Sequence, residues 1–94
     1  MVEATDNPAR HRYEMVVDNW MAYVTYALTE DRIVLLHTLV ATELEGKGVG
    51  TALATSVLND IRGRKLRVVP ECPFIAHFIA RHPEFADLIV SSKA

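Results

Sequence analysis

Three glycines within five residues, Gly46, Gly48 and Gly50, stand between an apolar stretch and a helical pattern. The first N–H groups of a helix have no partner inside it, and the aligned peptide dipoles add about half a positive charge there. Glycine also lets a ligand approach the backbone closely. The spacing therefore predicts an anion site, to which Lys47 can add a charge. The alternative interpretations are that the glycines form only a flexible strand-to-helix connection and that Lys47 is a solvated surface residue.

Two common phosphate-binding motifs are excluded by the residues present. A P-loop requires a glycine five residues before its Gly-Lys pair and a Ser or Thr after it. Ala41 and Gly48 occupy those positions. A dinucleotide-binding fingerprint that starts at Gly48 requires a third glycine where Leu53 stands. Neither motif therefore accounts for the glycine turn.

Cys72 and His37 are the side chains best suited to covalent or proton-transfer chemistry. Cys72, the single cysteine, precedes a predicted helix start, which favours the nucleophilic thiolate, although a buried free cysteine is also a common apolar filler. His37 lies within an apolar strand, where a histidine is either a hydrogen-bonded core residue or a base. His77 and His82 are five residues apart and face different sides of a helix. We therefore expect no metal site.

Length and charge limit the classes of protein to consider. A chain of 94 residues predicts one domain over residues 1–94. The net charge is −2, and without a basic cluster we expect no nucleic-acid partner. No apolar span or signal peptide is readable, and a single cysteine suits a reducing compartment, so we expect a cytoplasmic protein with no membrane partner. The oligomeric state stays open, with a monomer favoured.

Alternation of apolar and polar residues predicts a polar lead-in over residues 1–9 and then antiparallel strands joined by short turns, the first at Asp18-Asn19. These strands are Arg10–Val17, Trp20–Leu28 and Ile33–Val40. The third is apolar at nearly every position, which is typical of a central strand covered on both faces. We expect a helix over 49–62, with an apolar stripe and a stop at Gly63.

The remainder of the chain predicts a strand at Leu66–Val69 and a second helix at Phe74–Arg81. A short helix at Glu84–Leu88 precedes a fraying tail. A strand, a helix and a strand in one sheet imply a right-handed crossover. The third and fourth strands should therefore lie parallel, side by side at one end and apart beside the glycine turn.

The motif Glu45-x-x-Gly48-x-Gly50 resembles the loop that binds the coenzyme A pyrophosphate in GCN5-related N-acetyltransferases. Three further groups of residues match the small, minimal branch of that family in order and spacing: Arg12-Tyr13-Glu14 with His37-Thr38, Val69-Pro70-Glu71-Cys72-Pro73-Phe74, and His82-Pro83-Glu84. The resemblance implies an α/β fold in which a three-stranded antiparallel sheet is joined by a splayed parallel strand, with helices on both faces.

The resemblance also implies acetyl-CoA as co-substrate. Its pantetheine arm would lie along the backbone of the third strand, its pyrophosphate on the glycine turn and its acetyl group near the cysteine. The implied binding residues are Leu39, Val40, Ala41, Glu45, Gly46, Lys47, Gly48, Val49, Gly50, Thr51, Cys72, Pro73, Phe74 and Phe78, with Cys72 and His37 as catalytic candidates.

Two positions depart from the family pattern. Glu45 is an acid where the family usually has Arg or Gln, and its charge opposes a pyrophosphate. Phe78 stands where larger members have a tyrosine that protonates the departing thiolate. The implied activity is acetyl transfer to an amine or lysine. The alternative is a non-enzymatic acyl-CoA-binding or interaction module, because the N-terminal helices that build much of the acceptor pocket in larger members have no counterpart here.

Overall fold

A computed structural model describes residues 3–90. Its strands are β1 (Thr5–Asn7), β2 (Arg12–Val17), β3 (Trp20–Leu28), β4 (Arg32–Val40) and β5 (Arg67–Pro70). Its α-helices are α1 (Val49–Gly63) and α2 (Pro73–Arg81). Short 3-10 helices occupy Pro8–Arg10, Thr42–Leu44 and Pro83–Leu88.

The strands of the described residues form one mixed sheet in the order β1-β2-β3-β4-β5. The first four pair in antiparallel fashion and β5 pairs in parallel with β4, so the predicted strand arrangement is confirmed. The hairpin between β2 and β3 turns at Asp18-Asn19, as predicted. β1 was not predicted: residues 5–7 pair with β2 at the edge of the sheet, where we expected a polar lead-in. Three polar residues carry no apolar period that would identify a strand.

β4 has two neighbouring strands over only part of its length. Its pairing with β5 runs from Arg32 opposite Arg67 to Leu35 opposite Pro70. Beyond Leu35, β4 continues to Val40 paired with β3, while the chain of β5 turns away into α2. The predicted separation of the two strands beside the glycine turn is therefore confirmed.

A β-bulge at Leu36 begins where the two strands part. Tyr26 of β3 pairs with Leu35, and the preceding Thr25 pairs with His37, which leaves Leu36 without an opposite residue. The extra residue reverses which side chains of β4 face the core. His37 and Leu39 consequently face outward, and Leu39 is 49% exposed. The prediction that this strand is covered on both faces was wrong for its second half.

The core lies between one face of the sheet and both helices. The predicted stripe of α1 is confirmed, since Leu53, Val57 and Ile61 are fully buried. Side chains of α1, of α2 and of the inward face of the sheet belong to a single apolar cluster, whereas Val69, which is buried on the other side of β5, lies outside it. Both helices therefore pack on the same face of the sheet. The α/β class is as predicted, but the placement of one helix on each face was wrong.

The C-terminal part of the described chain completes the apolar core. Pro83–Leu88 forms a 3-10 helix where a short helix was predicted, and it buries Phe85 and Leu88. The Val90 N–H then donates to the Val68 carbonyl at the edge of β5. The prediction that the chain frays after Leu88 was wrong for Ile89 and Val90, which pair with β5. The rest of that prediction falls on residues 91–94, which lie outside the described residues. Neither α1 nor α2 has the length and apolar character needed to cross a membrane.

Candidate active site

The glycine turn leads directly into α1. Gly46 and Gly48 have φ angles of +79° and +73°, a left-handed conformation that glycine adopts without strain. Gly48 is the residue before the first helical position, and no side chain caps the start of the helix. The first helical hydrogen bond joins the Ala52 N–H to the Gly48 carbonyl, 3.0 Å apart. The preceding N–H groups of α1 therefore lack an acceptor within the helix, as an anion site requires.

The charged side chains of this turn, Lys47 and Glu45, are both exposed. Lys47 lies 3.2 Å from Asp18, at the hairpin between β2 and β3, and both side chains are largely exposed. An exposed pair of this kind contributes at most about 1 kcal/mol, so Lys47 can leave it for a stronger partner. Glu45 is exposed and extended, one residue after the 3-10 helix Thr42–Leu44. Its carboxylate is free to turn away from the helix start.

Gly50 brings the starts of the two helices together. A Cβ atom at this position would lie 2.9 Å from the Cζ atom of Phe74, closer than non-bonded carbons approach. The bare Cα of Gly50 thus lets the ring of Phe74, the second residue of α2, pack against α1. As a result, the glycine turn and the Cys-Pro-Phe segment lie at one end of the sheet.

Cys72 lies at the point where β4 and β5 separate. It immediately precedes α2, and Pro73 occupies the first position of that helix, where no N–H is needed. The Cys72 N–H donates to the Leu35 carbonyl at 2.9 Å, which fastens the end of β5 to the bulge of β4. The Cys72 Sγ atom is 3.1 Å from the Thr38 Oγ1 atom, and either group can be the donor. Cys72 is 3% exposed, so its thiol faces the interior of the separation rather than bulk water.

His37 lies on the other face of the sheet. It is exposed and pairs with Thr25, whose side chain also points outward. The interpretation of His37 as a core histidine was therefore wrong, and the physical reason is the bulge at Leu36. Adjacent strand residues alternate between faces, so Thr38 and not His37 is directed at Cys72. The two catalytic candidates are separated by the backbone of β4.

Comparison with known proteins identifies the family. A family model described as GCN5-related N-acetyl-transferase matches residues 12–88. The chain belongs to this family. The NMR solution structure of a GCN5-like candidate N-acetyltransferase from Staphylococcus aureus is similar, with a TM-score of 0.71 and 26% identity, covering 95% of this chain and 88% of that chain. No match was found among curated proteins.

As a member of the GCN5-related N-acetyltransferases, the chain has the enzyme class that the motifs indicated. The matched region spans from β2 to Leu88 and so includes the glycine turn, the separated strands and the cysteine. The earlier resemblance to this family is thereby confirmed. The roles of individual residues remain predictions.

The aromatic side chains of α2 divide between core and surface in this acetyltransferase. Phe78 is 7% exposed and stacks on His82 with ring centroids 4.1 Å apart. It has no hydroxyl group, so it cannot act as a proton donor. Phe74 is 40% exposed beside Gly50. Phe74 is thus the aromatic residue placed to contact a ligand at the helix starts.

Thr38 is the site residue that sequence reasoning missed. β4 is apolar at nearly every position and shows no alternation that a bulge could interrupt, so nothing in the sequence indicates that Thr38 turns inward. His37-Thr38 was noted among the segments that match the family, but only the histidine was singled out as a candidate. Within residues 3–90, the acetyltransferase has no group of three or more His, Cys, Asp or Glu side chains suited to a metal ion.

Proposed function

We propose that this acetyltransferase transfers the acetyl group of acetyl-CoA to an amine, either a small amine or a lysine side chain. One observation carries the proposal: the uncapped start of α1 and the separation of β4 from β5 occur at the same end of the sheet. A pyrophosphate bound by the helix N–H groups would leave the pantetheine amides beside the backbone of Leu39, Val40 and Ala41. Between residues 37 and 40, that backbone pairs with β3 alone.

The opposed positions of His37 and Cys72 fit a reaction between two substrates that enter from opposite faces. The thioester would arrive on the helix side, where Cys72 and Thr38 lie. The amine would arrive on the open side, where His37 is exposed. His37 and Cys72 would therefore act on different protons and not as a nucleophile–base pair.

The bonds and protons of the transfer balance when His37 acts as the base and Cys72 as the acid. The amine nitrogen forms a bond to the thioester carbonyl carbon, and the bond between that carbon and the CoA sulfur breaks. The amine loses one proton, which His37 accepts and passes to water. The CoA thiolate gains one proton from the Cys72 thiol, which recovers it from water. The products are the N-acetylated amine and free CoA.

Binding of acetyl-CoA at the glycine turn is tested by thermal melting. A ligand at a hundredfold excess over its Kd adds about 2.7 kcal/mol to the free energy of unfolding. Gly48→Asp should abolish the shift, because a carboxylate at the helix start repels the pyrophosphate. Gly63→Asp, at the other end of α1, is the matched control and should keep it. A shift that persists in Gly48→Asp would place the ligand elsewhere.

A module that binds acyl-CoA without transfer is the second candidate. Phe78 in place of a phenol and Glu45 beside the anion site favour it, because the first removes a proton donor and the second weakens the phosphate site. Release of free CoA on addition of amines distinguishes the two. A melting shift without CoA release from any amine or lysine peptide would support the binding module.

A further inference from the structure

Both strands that part at the candidate active site have an irregular residue at the same level. On β4 it is Leu36, which has no opposite residue on β3. After β5 it is Glu71, because the Leu35 carbonyl accepts its hydrogen bond from the next residue, Cys72, at 2.9 Å. The Glu71 N–H turns back to the Val69 carbonyl, 3.1 Å away, which is the hydrogen bond of a γ-turn at a strand end. Glu71 is therefore looped out of the ladder where the strands part.

Glu71 presents its carboxylate beside His37. The Glu71 side chain is exposed, whereas the adjacent Cys72 is buried on the helix side. A strand spacing of about 5 Å and a rise of about 3.3 Å per residue place the backbones of Glu71 and His37 roughly 8 Å apart. Within residues 3–90, Glu71 forms no salt bridge. One molecule that lies across the parting on the open side can therefore contact both side chains.

The other charged side chains on the strands of the open face are paired or distant. Arg12 donates to Glu14, so these two charges compensate each other. Arg32 and Arg67 lie opposite one another at the far end of β4 and β5. Arg67 is four residues from Glu71, a separation of roughly 13 Å along the strand, which exceeds the Debye length of about 8 Å at physiological salt. The surroundings of the candidate base therefore favour a positively charged ligand.

A carboxylate in this position is best suited to a charge other than that of the reacting nitrogen. The nitrogen that attacks the thioester must be uncharged, and an alkylamine has a pKa near that of lysine, about 10.4. A neighbouring carboxylate raises the pKa of an amine further and so holds it in the charged form. Glu71 would thus oppose deprotonation of the nitrogen that it binds. A second positive charge on the acceptor has no proton to lose in the reaction, so it is the better partner for Glu71.

We propose that Glu71 selects acceptors that carry a second positive charge, such as a diamine or a lysine flanked by basic residues. This proposal rests on the proposed function, because it requires the reacting amine at His37 on the open side. The acceptor lies across the parting, with its reacting nitrogen at His37 and its second charge at Glu71. An acceptor with a carboxylate in place of the second charge is repelled. Because the second charge does not change during the reaction, the selection affects KM more than kcat.

Three five-carbon acceptors that differ only at one end test the proposal. 1,5-Diaminopentane, pentylamine and 5-aminopentanoate end in an ammonium group, a methyl group and a carboxylate. Release of free CoA should give the highest kcat/KM per amino group for the diamine and the lowest for the amino acid. Each step should be about fivefold, which is the size expected for one exposed ion pair. Lysine peptides flanked by arginine or by aspartate test a protein acceptor in the same way.

Variants at Glu71 assign the preference to its carboxylate. Glu71→Gln should remove most of the preference by raising the KM of the diamine, and should leave kcat and the melting temperature close to those of the parent. Glu71→Lys should reverse the order of the three acceptors. Glu30→Gln removes the same charge between β3 and β4, at the other end of the sheet, and should keep the preference.

The outcomes separate this proposal from the proposed function. Equal kcat/KM for the three acceptors would overturn the role of Glu71 while leaving acetyl transfer intact. A preference that survives Glu71→Gln would also overturn it, as would a fall in kcat by the same factor for all three acceptors in that variant. Absence of CoA release from every amine and peptide would contradict the proposed function itself.

Discussion

The contact between Cys72 and Thr38 is the most specific polar feature of the site. A thiol that is buried at the start of a helix and 3.1 Å from a hydroxyl has its hydrogen-bonding capacity satisfied without solvent. Both side chains face the separation of β4 and β5, where the acetyl group is proposed to lie. The arrangement gives Cys72 a polar partner, which supports the prediction that it takes part in the chemistry over its interpretation as an apolar filler.

At this scale we predict that Cys72 acts as a proton donor. Cys72→Ala should slow acetyl transfer by about a hundredfold, a typical effect of losing a general acid, and leave acetyl-CoA binding and the melting temperature close to those of the parent. Cys72→Ser keeps a hydroxyl in the same place and should retain more activity than Cys72→Ala. Steady-state release of CoA measures both.

Mass spectrometry distinguishes this role from covalent catalysis. If Cys72 accepts the acetyl group itself, incubation with acetyl-CoA adds one acetyl mass that hydroxylamine removes, and neither variant acquires it. An unchanged rate in Cys72→Ala would return the residue to a packing role. Thr38→Val, which removes the hydroxyl partner and keeps the shape, should slow transfer less than Cys72→Ala.

At the scale of elements, a chain of hydrogen bonds connects the edge strand to α1. The Tyr26 hydroxyl on β3 donates to Asp6 of β1, and Arg64 donates to Asp6 at 3.1 Å and to the Tyr13 hydroxyl at 2.9 Å. Tyr13 in turn donates to Asp60 of α1 at 2.6 Å. Because β1 is short and polar, this network stabilises it in place of an apolar face.

Tyr26→Phe should lower the free energy of unfolding by about 1–2 kcal/mol, because it removes a hydrogen bond to a carboxylate. Burial, together with the bond to Asp6, raises the pKa of Tyr26 from 10.0 to about 12. The stabilisation is therefore fully present below pH 10 and is lost as the pH rises toward 12. Urea unfolding at several pH values checks both statements. The same change at Tyr23, on the open face, should have little effect, and a difference that does not shrink above pH 10 would contradict the assignment.

Periodic elements could be predicted from the sequence, but their local interruptions could not. β3 was predicted with its observed bounds, and α1 and α2 to within one residue at each end, because their apolar periods are regular. The glycine turn was predicted from its three glycines, and the parting of the strands from crossover geometry. The bulge at Leu36 left no trace in an uninterrupted apolar strand, and so the orientations of His37 and Thr38 were not predictable.

The whole molecule has two different sides. α1 and α2 cover one face of the sheet, while the other face of β2, β3 and β4 carries polar, aromatic and aliphatic side chains, among them the exposed Val16 and Leu39. Arg12 lies 4.5 Å from the centre of the Tyr23 ring and donates to Glu14, and this hydrogen bond lowers the pKa of Glu14. The proposed thioester and amine sites are consequently on opposite sides of a layer one strand thick.

The parting of β5 from β4 gives a single strand two levels of local stability. Amides at the start of β4 lie between two strands and should exchange with deuterium only when the protein unfolds globally. Amides of residues 37–40 that point away from β3 have no strand to receive them, so they should exchange through small local openings, at rates faster by at least about tenfold. If the pantetheine arm pairs with this backbone, saturating acetyl-CoA should slow their exchange selectively. Uniform protection of the amides along β4 in the free protein would contradict this expectation. If the expectation holds, the ligand occupies, beside residues 37–40, the position that a neighbouring strand occupies along the first half of β4.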